Sequence, residues 1–193
     1  MKRIKLLKIL QSKSTVFTFK EILLSARGEP AHLLRRRLHY YLETGALIAL
    51  RRGMYARDQH YDRHELATKI FTPSYVSFET VLAQAGVIFQ YHSEIFVASY
   101  KSRALVCDKQ HYVFRKLKDA ILTTTAGLEN KGTYFIASKE RAFLDMLYLN
   151  KDYHFDNLGP LDKHKVMELL PLYNNKRMSR VVQRQFERFE QEG

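Results

Sequence analysis

The fold turns on one stretch, Leu38-His-Tyr-Tyr-Leu-Glu-Thr-Gly45-Ala-Leu-Ile-Ala-Leu-Arg-Arg-Gly53-Met-Tyr-Ala56. A helical apolar rhythm runs into Gly45, where a helix C-terminus favours a residue that enters the left-handed region at little cost. Past that glycine the rhythm changes. Ala46-Leu-Ile-Ala-Leu50 and Met54-Tyr-Ala56 are short β-prone runs on either side of Arg51-Arg52-Gly53, which reads as a hairpin with a basic turn.

Upstream, the helix that stops at Gly45 starts at Pro30, because proline suits a first helical turn, where its missing N–H costs nothing. At about 100° per residue, Leu34, Leu38, Tyr41 and Leu42 fall on one side of it. His32, Arg36 and His39 fall opposite, Arg35 and Tyr40 flank that polar face, and Arg37 lies near the apolar side. Thr18 is placed to cap an earlier helix over residues 19–26, with Glu21 in the first turn, where the helix dipole favours an anion. Earlier still, Ile4, Leu7 and Leu10 recur at helical spacing before a polar break at Ser12 to Thr15. Lys5 and Lys8 interrupt them, so Met1 to Leu10 reads as an amphipathic helix and not as a targeting signal. Three helices and a basic hairpin within 60 residues follow the order of a winged helix-turn-helix, whose third helix enters the DNA major groove.

The charge is distributed to match. The chain of 193 residues carries a net +12, and residues 1–57 hold 13 lysines and arginines against 3 acidic residues, which leaves the remainder nearly neutral. Cations concentrated in a segment with folded periodicity predict a polyanionic partner, here double-stranded DNA, over the rival reading of a basic membrane-surface helix. Arg35 and Arg36 are the candidates for base edges, guanine in particular, and Arg51 and Arg52 for phosphates, with His32, His39 and Tyr40 on the same surface. No run of about 18 apolar residues offers a membrane span. Cys107 is the single cysteine, so an intrachain disulfide or a cysteine zinc cluster is excluded, a reducing cytoplasm is expected, and Cys107 is predicted to be a small buried residue.

Asp58 to Arg63 is polar and aperiodic and marks a junction near residue 60, giving units 1–60 and 61–193. The second unit is predicted as mixed α/β, making the chain α+β. A helix covers 61–71, and Ser77 caps another from Phe78 to Ala85 that ends at Gly86. Ile95 to Ala98, Ala104 to Val106 and Tyr112 to Phe114 read as strands of an antiparallel sheet, followed by a strand over 133–137. Ser138 caps a buried helix through Leu149, Asp162 caps one to about Leu170 before Pro171, and a last helix runs from Asn175 to about Phe189. On the last helix Met178, Val182, Phe186 and Phe189 form an apolar stripe. Beside it Arg177, Arg180, Arg184 and Arg188 form a basic one, read as a solvated face or a surface for an acidic partner or a DNA backbone.

Three segments together resemble the AbiEi family of type IV antitoxins: the Leu38 to Ala56 stretch, Tyr75-Val-Ser-Phe-Glu-Thr-Val-Leu82, and Ile136-Ala-Ser-Lys-Glu140-Arg-Ala142-Phe-Leu144-Asp145. In that family Gly-x-Leu and Gly-x-Tyr-Ala shape the wing, and the other two segments belong to the C-terminal domain. The run Arg35-Arg36-Arg37 and the bulky Tyr41 depart from the family's pattern. The resemblance implies a bifunctional protein: the winged helix represses its own operon, and the C-terminal domain counters a nucleotidyltransferase-like toxin without necessarily binding it. It implies no cofactor and no enzymatic activity.

Rival readings attach to particular residues. Asp108 with Glu129-Asn130-Lys131 loosely imitates a nuclease metal site. Glu140 and Asp145 invite an active-site reading, but Arg141 and Asp145 are spaced as an i,i+4 pair, which favours a structural role. The eight histidines are scattered; His60 and His64 stand four apart with no cysteine or glutamate to complete a metal motif. A stand-alone regulator whose second unit senses a ligand or drives assembly is the main alternative.

Overall fold

A computed structural model describes residues 12–26 and 28–192. The helix predicted over Met1 to Leu10 lies outside these residues. The chain is α+β. Its first part comprises β1 (Val16–Thr18), α1 (Phe19–Ser25), α2 (Ala31–Glu43), β2 (Ile48–Arg51) and β3 (Met54–Ala56). β3 lies between the other two strands in an antiparallel sheet ordered β1-β3-β2. β1 was not expected, since three residues are too few to show alternation; it forms because β3 offers an edge, pairing Val16 with Ala56.

Thr18 caps α1 as predicted. Its hydroxyl accepts from the Glu21 N–H, and the Glu21 carboxylate accepts from the Thr18 N–H at 2.7 Å, closing a capping box. α2 ends at Thr44 and Gly45, which has φ 70°. Leu34 and Leu38 are buried with Phe17, Ile22 and Leu47 in a small core, whereas Tyr41 and Leu42 are only partly covered. Leu47 goes into that core and donates its N–H to the Tyr41 carbonyl at 3.1 Å, which is why β2 begins two residues later than the sequence suggests. Arg51 is still in β2, opposite Met54, so the turn itself is Arg52-Gly53, with Gly53 at φ 76°.

The second part runs α3 (Arg63–Ile70), β4 (Ser74–Val76), α4 (Glu79–Gln84), β5 (Ile95–Ser99), β6 (Arg103–Cys107), β7 (Gln110–Lys116), α5 (Asp119–Leu122), β8 (Leu128–Asn130), β9 (Phe135–Ala137), α6 (Lys139–Leu149), α7 (Lys163–Leu169), a 3-10 turn (Leu170–Tyr173) and α8 (Lys176–Glu192). Its six strands are ordered β6-β7-β5-β4-β9-β8. The sheet is mixed and not simply antiparallel, because β5 pairs with β7 and β4 with β9 in parallel. A tight Asp108-Lys109 turn sends β6 to the outer edge, so β7 returns alongside β5 in the same direction.

The large core lies between this sheet and α4, α6, α7 and α8, the last contributing Met178, Val182 and Phe186. On the opposite face Tyr61, Leu66 and Ala67 pack against Ile95, Val97, Tyr112 and Phe114, and Val16, Met54 and Ala56 of the first sheet join the same cluster. Apolar burial therefore links the two parts across residue 60. A polar clamp reinforces it. The Glu65 carboxylate accepts from the Thr15 N–H (2.8 Å) and hydroxyl (2.7 Å), and Lys69 Nζ donates to the Val16 carbonyl at 2.6 Å while pairing with Glu65 and Glu21 at 3.1 Å each.

Ser138 and Asp162 cap α6 and α7 as predicted. Ser77 does not cap α4. The N-cap is Phe78, at φ 57°, because the Ser77 hydroxyl donates instead to the buried Asp145 carboxylate at 2.8 Å. Asp145 and Arg141, both 0% exposed, form the i,i+4 pair with Nε to Oδ1 at 3.4 Å. Removing one partner from a buried, hydrogen-bonded pair strands the other charge in a low-dielectric interior. Arg141→Ala is expected to lower unfolding free energy by roughly 3–5 kcal/mol, read as a reduced urea midpoint.

Candidate nucleic-acid interface

Arg35, Arg36, His32, His39 and Tyr40 are all exposed on α2, as its periodicity predicts, and Arg51 and Arg52 are exposed on the hairpin. Phe19, at the start of α1, brings the two groups together. Its N–H donates to the Gly53 carbonyl at 2.8 Å, and the Arg35 guanidinium stands 4.8 Å from its ring centroid. A cation over an aromatic face is held by the ring's quadrupole, which restrains Arg35 while leaving its donors outward. The sequence reading missed Phe19 in this role, although its place one residue after the cap was a usable signal.

Not every nearby cation is available. Arg37 pairs with Glu29 at 2.8 Å, at the edge of the face, and Arg57 donates to the Ser12 and Ser14 carbonyls at 3.0 and 3.2 Å. His39 stands 3.1 Å from Glu43, an acidic neighbour within the basic face. Cys107 is buried as expected and its thiol donates to the Leu50 carbonyl at 3.3 Å, seating the hairpin against β6. Burial pushes that thiol up, with Arg51 acting against the shift.

Arg177, Arg180, Arg184 and Arg188 are exposed on α8. α8 packs on the large core, which shares no residue with the small core beneath α2.

The nuclease-like constellation is not assembled. Asp108 accepts from the Tyr61 hydroxyl at 2.7 Å in the β6–β7 turn, and Glu129 pairs with Lys131 at 2.7 Å on β8. These belong to opposite ends of the strand order, roughly 20 Å apart at about 4.8 Å per strand. Among the described residues no group of three metal-ligating side chains converges, and His60 lies outside α3, so its spacing to His64 is not helical. Glu140 is buried at the start of α6 and accepts weakly from the Asp162 N–H at 3.3 Å. Among the described residues no helix is long and apolar enough to cross a membrane.

Compared with models of known protein families the chain matches none, and no curated protein matches it.

The capping box that places Phe19 is itself ionisable. Burial works to raise the Glu21 pKa, but the Thr18 N–H and the Lys69 charge outweigh it and hold the carboxyl below its ordinary 4.5. A depressed carboxylate stabilises the fold above the unfolded pKa and loses that contribution as pH falls through the folded value. The denaturation midpoint of the protein should therefore drop on acidification below pH 4.5, and Glu21→Gln should flatten that part of the profile; an unchanged slope would count against the box.

Proposed function

We propose that the first unit, bounded near residue 60, forms a winged helix-turn-helix that binds double-stranded DNA, with α2 in the major groove and the β2–β3 hairpin as the wing. The observation that carries this reading is the joining of the exposed α2 cations to the Arg51-Arg52 hairpin through Phe19. The order strand, helix, helix, hairpin and the pairing of β1 with β3 support it. Arg35 and Arg36 donate to base edges, and Arg51 and Arg52 neutralise phosphates.

Within this reading the protein is a cytoplasmic, autoregulating antitoxin of the AbiEi kind. The likeness of the 38–56, 75–82 and 136–145 segments supports that assignment, and it makes a nucleotidyltransferase-like toxin the functional counterpart. A second reading, a stand-alone regulator with a ligand-sensing domain, is favoured by a cleft of about 630 Å³ lined by Val81, Gly127, Glu140 and Lys165 among others. Rescue of growth on co-expression with a nucleotidyltransferase-like toxin separates the two.

Fluorescence anisotropy on the gene's own upstream DNA against scrambled DNA tests the DNA half. Selective, salt-sensitive binding is expected. Arg35→Ala with Arg36→Ala should weaken it by about fivefold or more per lost bidentate base contact, given roughly 1–3 kcal/mol for each. Absence of binding to either DNA at low salt refutes the assignment.

A further inference from the structure

Leu33 and Tyr40 are 45% and 59% exposed on the outer side of α2, while Leu34 and Leu38 supply its core contacts. Large apolar side chains scattered singly on a surface need no explanation. These two are not scattered. Seven residues apart, they lie about 20° from each other around the helix and, together with Glu29, Pro30, Arg36 and Arg37, line one shallow groove of about 400 Å³. The Arg37–Glu29 pair neutralises the charge along one wall, and Tyr40 packs edge-on against Tyr41 with centroids 5.8 Å apart. The result is an apolar stripe, bordered by the exposed Arg36, on a cationic face.

We infer that this stripe reads thymine, with Leu33 and Tyr40 each covering a C5-methyl group in the major groove. The inference rests on the DNA-binding reading proposed above and adds to it the identity of bases that Arg35 and Arg36 do not specify. The thymine methyl is the one apolar feature the major groove presents, and apolar side chains are what recognise it. Seven residues of helix rise about 10.5 Å, the length of about three base steps at ~3.4 Å. Leu33 and Tyr40 therefore contact two thymines about three base pairs apart, with Arg36 between them along the helix.

The test replaces thymine by deoxyuridine, which removes the methyl and leaves every hydrogen-bonding group in place. Duplexes that bind the full-length protein are selected from a random pool, and the selected site is resynthesised with each thymine exchanged in turn. Two positions about three base pairs apart should lose about fourfold in affinity, the worth of one buried methyl. Leu33→Ala should abolish the difference at one of them and Tyr40→Ala at the other. If deoxyuridine is silent everywhere while the selected duplex still depends on Arg35 and Arg36, the thymine inference falls and the DNA-binding reading stands. If no duplex is selected, both fall. If Leu33→Ala and Tyr40→Ala convert a dimer to a monomer by light scattering and leave methyl sensitivity intact, the stripe joins two copies of the chain and the inference is overturned.

Discussion

A single buried ion pair imposes the largest constraint on this structure. Arg141 and Asp145 are both fully removed from solvent, where an unsatisfied charge costs several kcal/mol, so every donor and acceptor they carry has to be met by the protein. The partners come from all around the large core. Arg141 donates to the Ala126 and Ile121 carbonyls at 2.6 and 2.7 Å and to the Tyr75 hydroxyl at 3.1 Å. Asp145 accepts from Tyr75, Ser77 and Tyr173 at 2.9, 2.8 and 2.7 Å. Burial pushes the Asp145 carboxyl up, and the Arg141 charge and three hydroxyl donors act against it. Burial also lifts Tyr75 and Tyr173 well above the ordinary tyrosine range, so both remain neutral donors. β4, α5, the 3-10 turn and the loop before β8 are thereby held around α6. Gly127 in that loop has φ 72°, and a Cβ there would stand 3.1 Å from the Arg141 Cβ and 2.9 Å from a Leu169 methyl carbon.

From that pair the packing continues toward the proposed DNA face. α6 supports one face of the six-stranded sheet, and the other face seats α3. α3 in turn fixes β1 through Glu65 and Lys69, and β1 leads directly into α1, whose Phe19 lies beneath Arg35. Arg35 thus owes its position to elements distant in sequence, and a change in the mount of α3 would displace the cations without altering any of them.

The same structure sorts the arginines by task, although the sequence presents them alike. Arg141 is a core residue, and Arg115 lies against the Phe78 and Phe96 rings and pairs with Glu79. Arg37 and Arg57 hold the local fold, whereas Arg35, Arg36, Arg51 and Arg52 are turned outward. A net charge identifies a cationic segment, but the work of each cation depends on which carboxylate, carbonyl or ring the fold brings to it.

The sequence by itself determined what rests on contacts within one turn of chain. It gave away the α2 faces, the end at Gly45, the Thr18, Ser138 and Asp162 caps, the Arg141–Asp145 spacing and the apolar stripe of α8, because helical periodicity and side-chain capping act over three or four residues. Only the tertiary structure decided the rest. β1 exists because β3 lies open beside it. The sheet is mixed because β6 takes the outer edge. Ser77 leaves its cap because a buried carboxylate 68 residues away in the chain has greater need of its proton. Phe19 becomes the link between α2 and the hairpin because Gly53 offers it a carbonyl. Each of these is a pairing between groups far apart in sequence, and the periodicity around either partner is the same whichever partner the fold supplies.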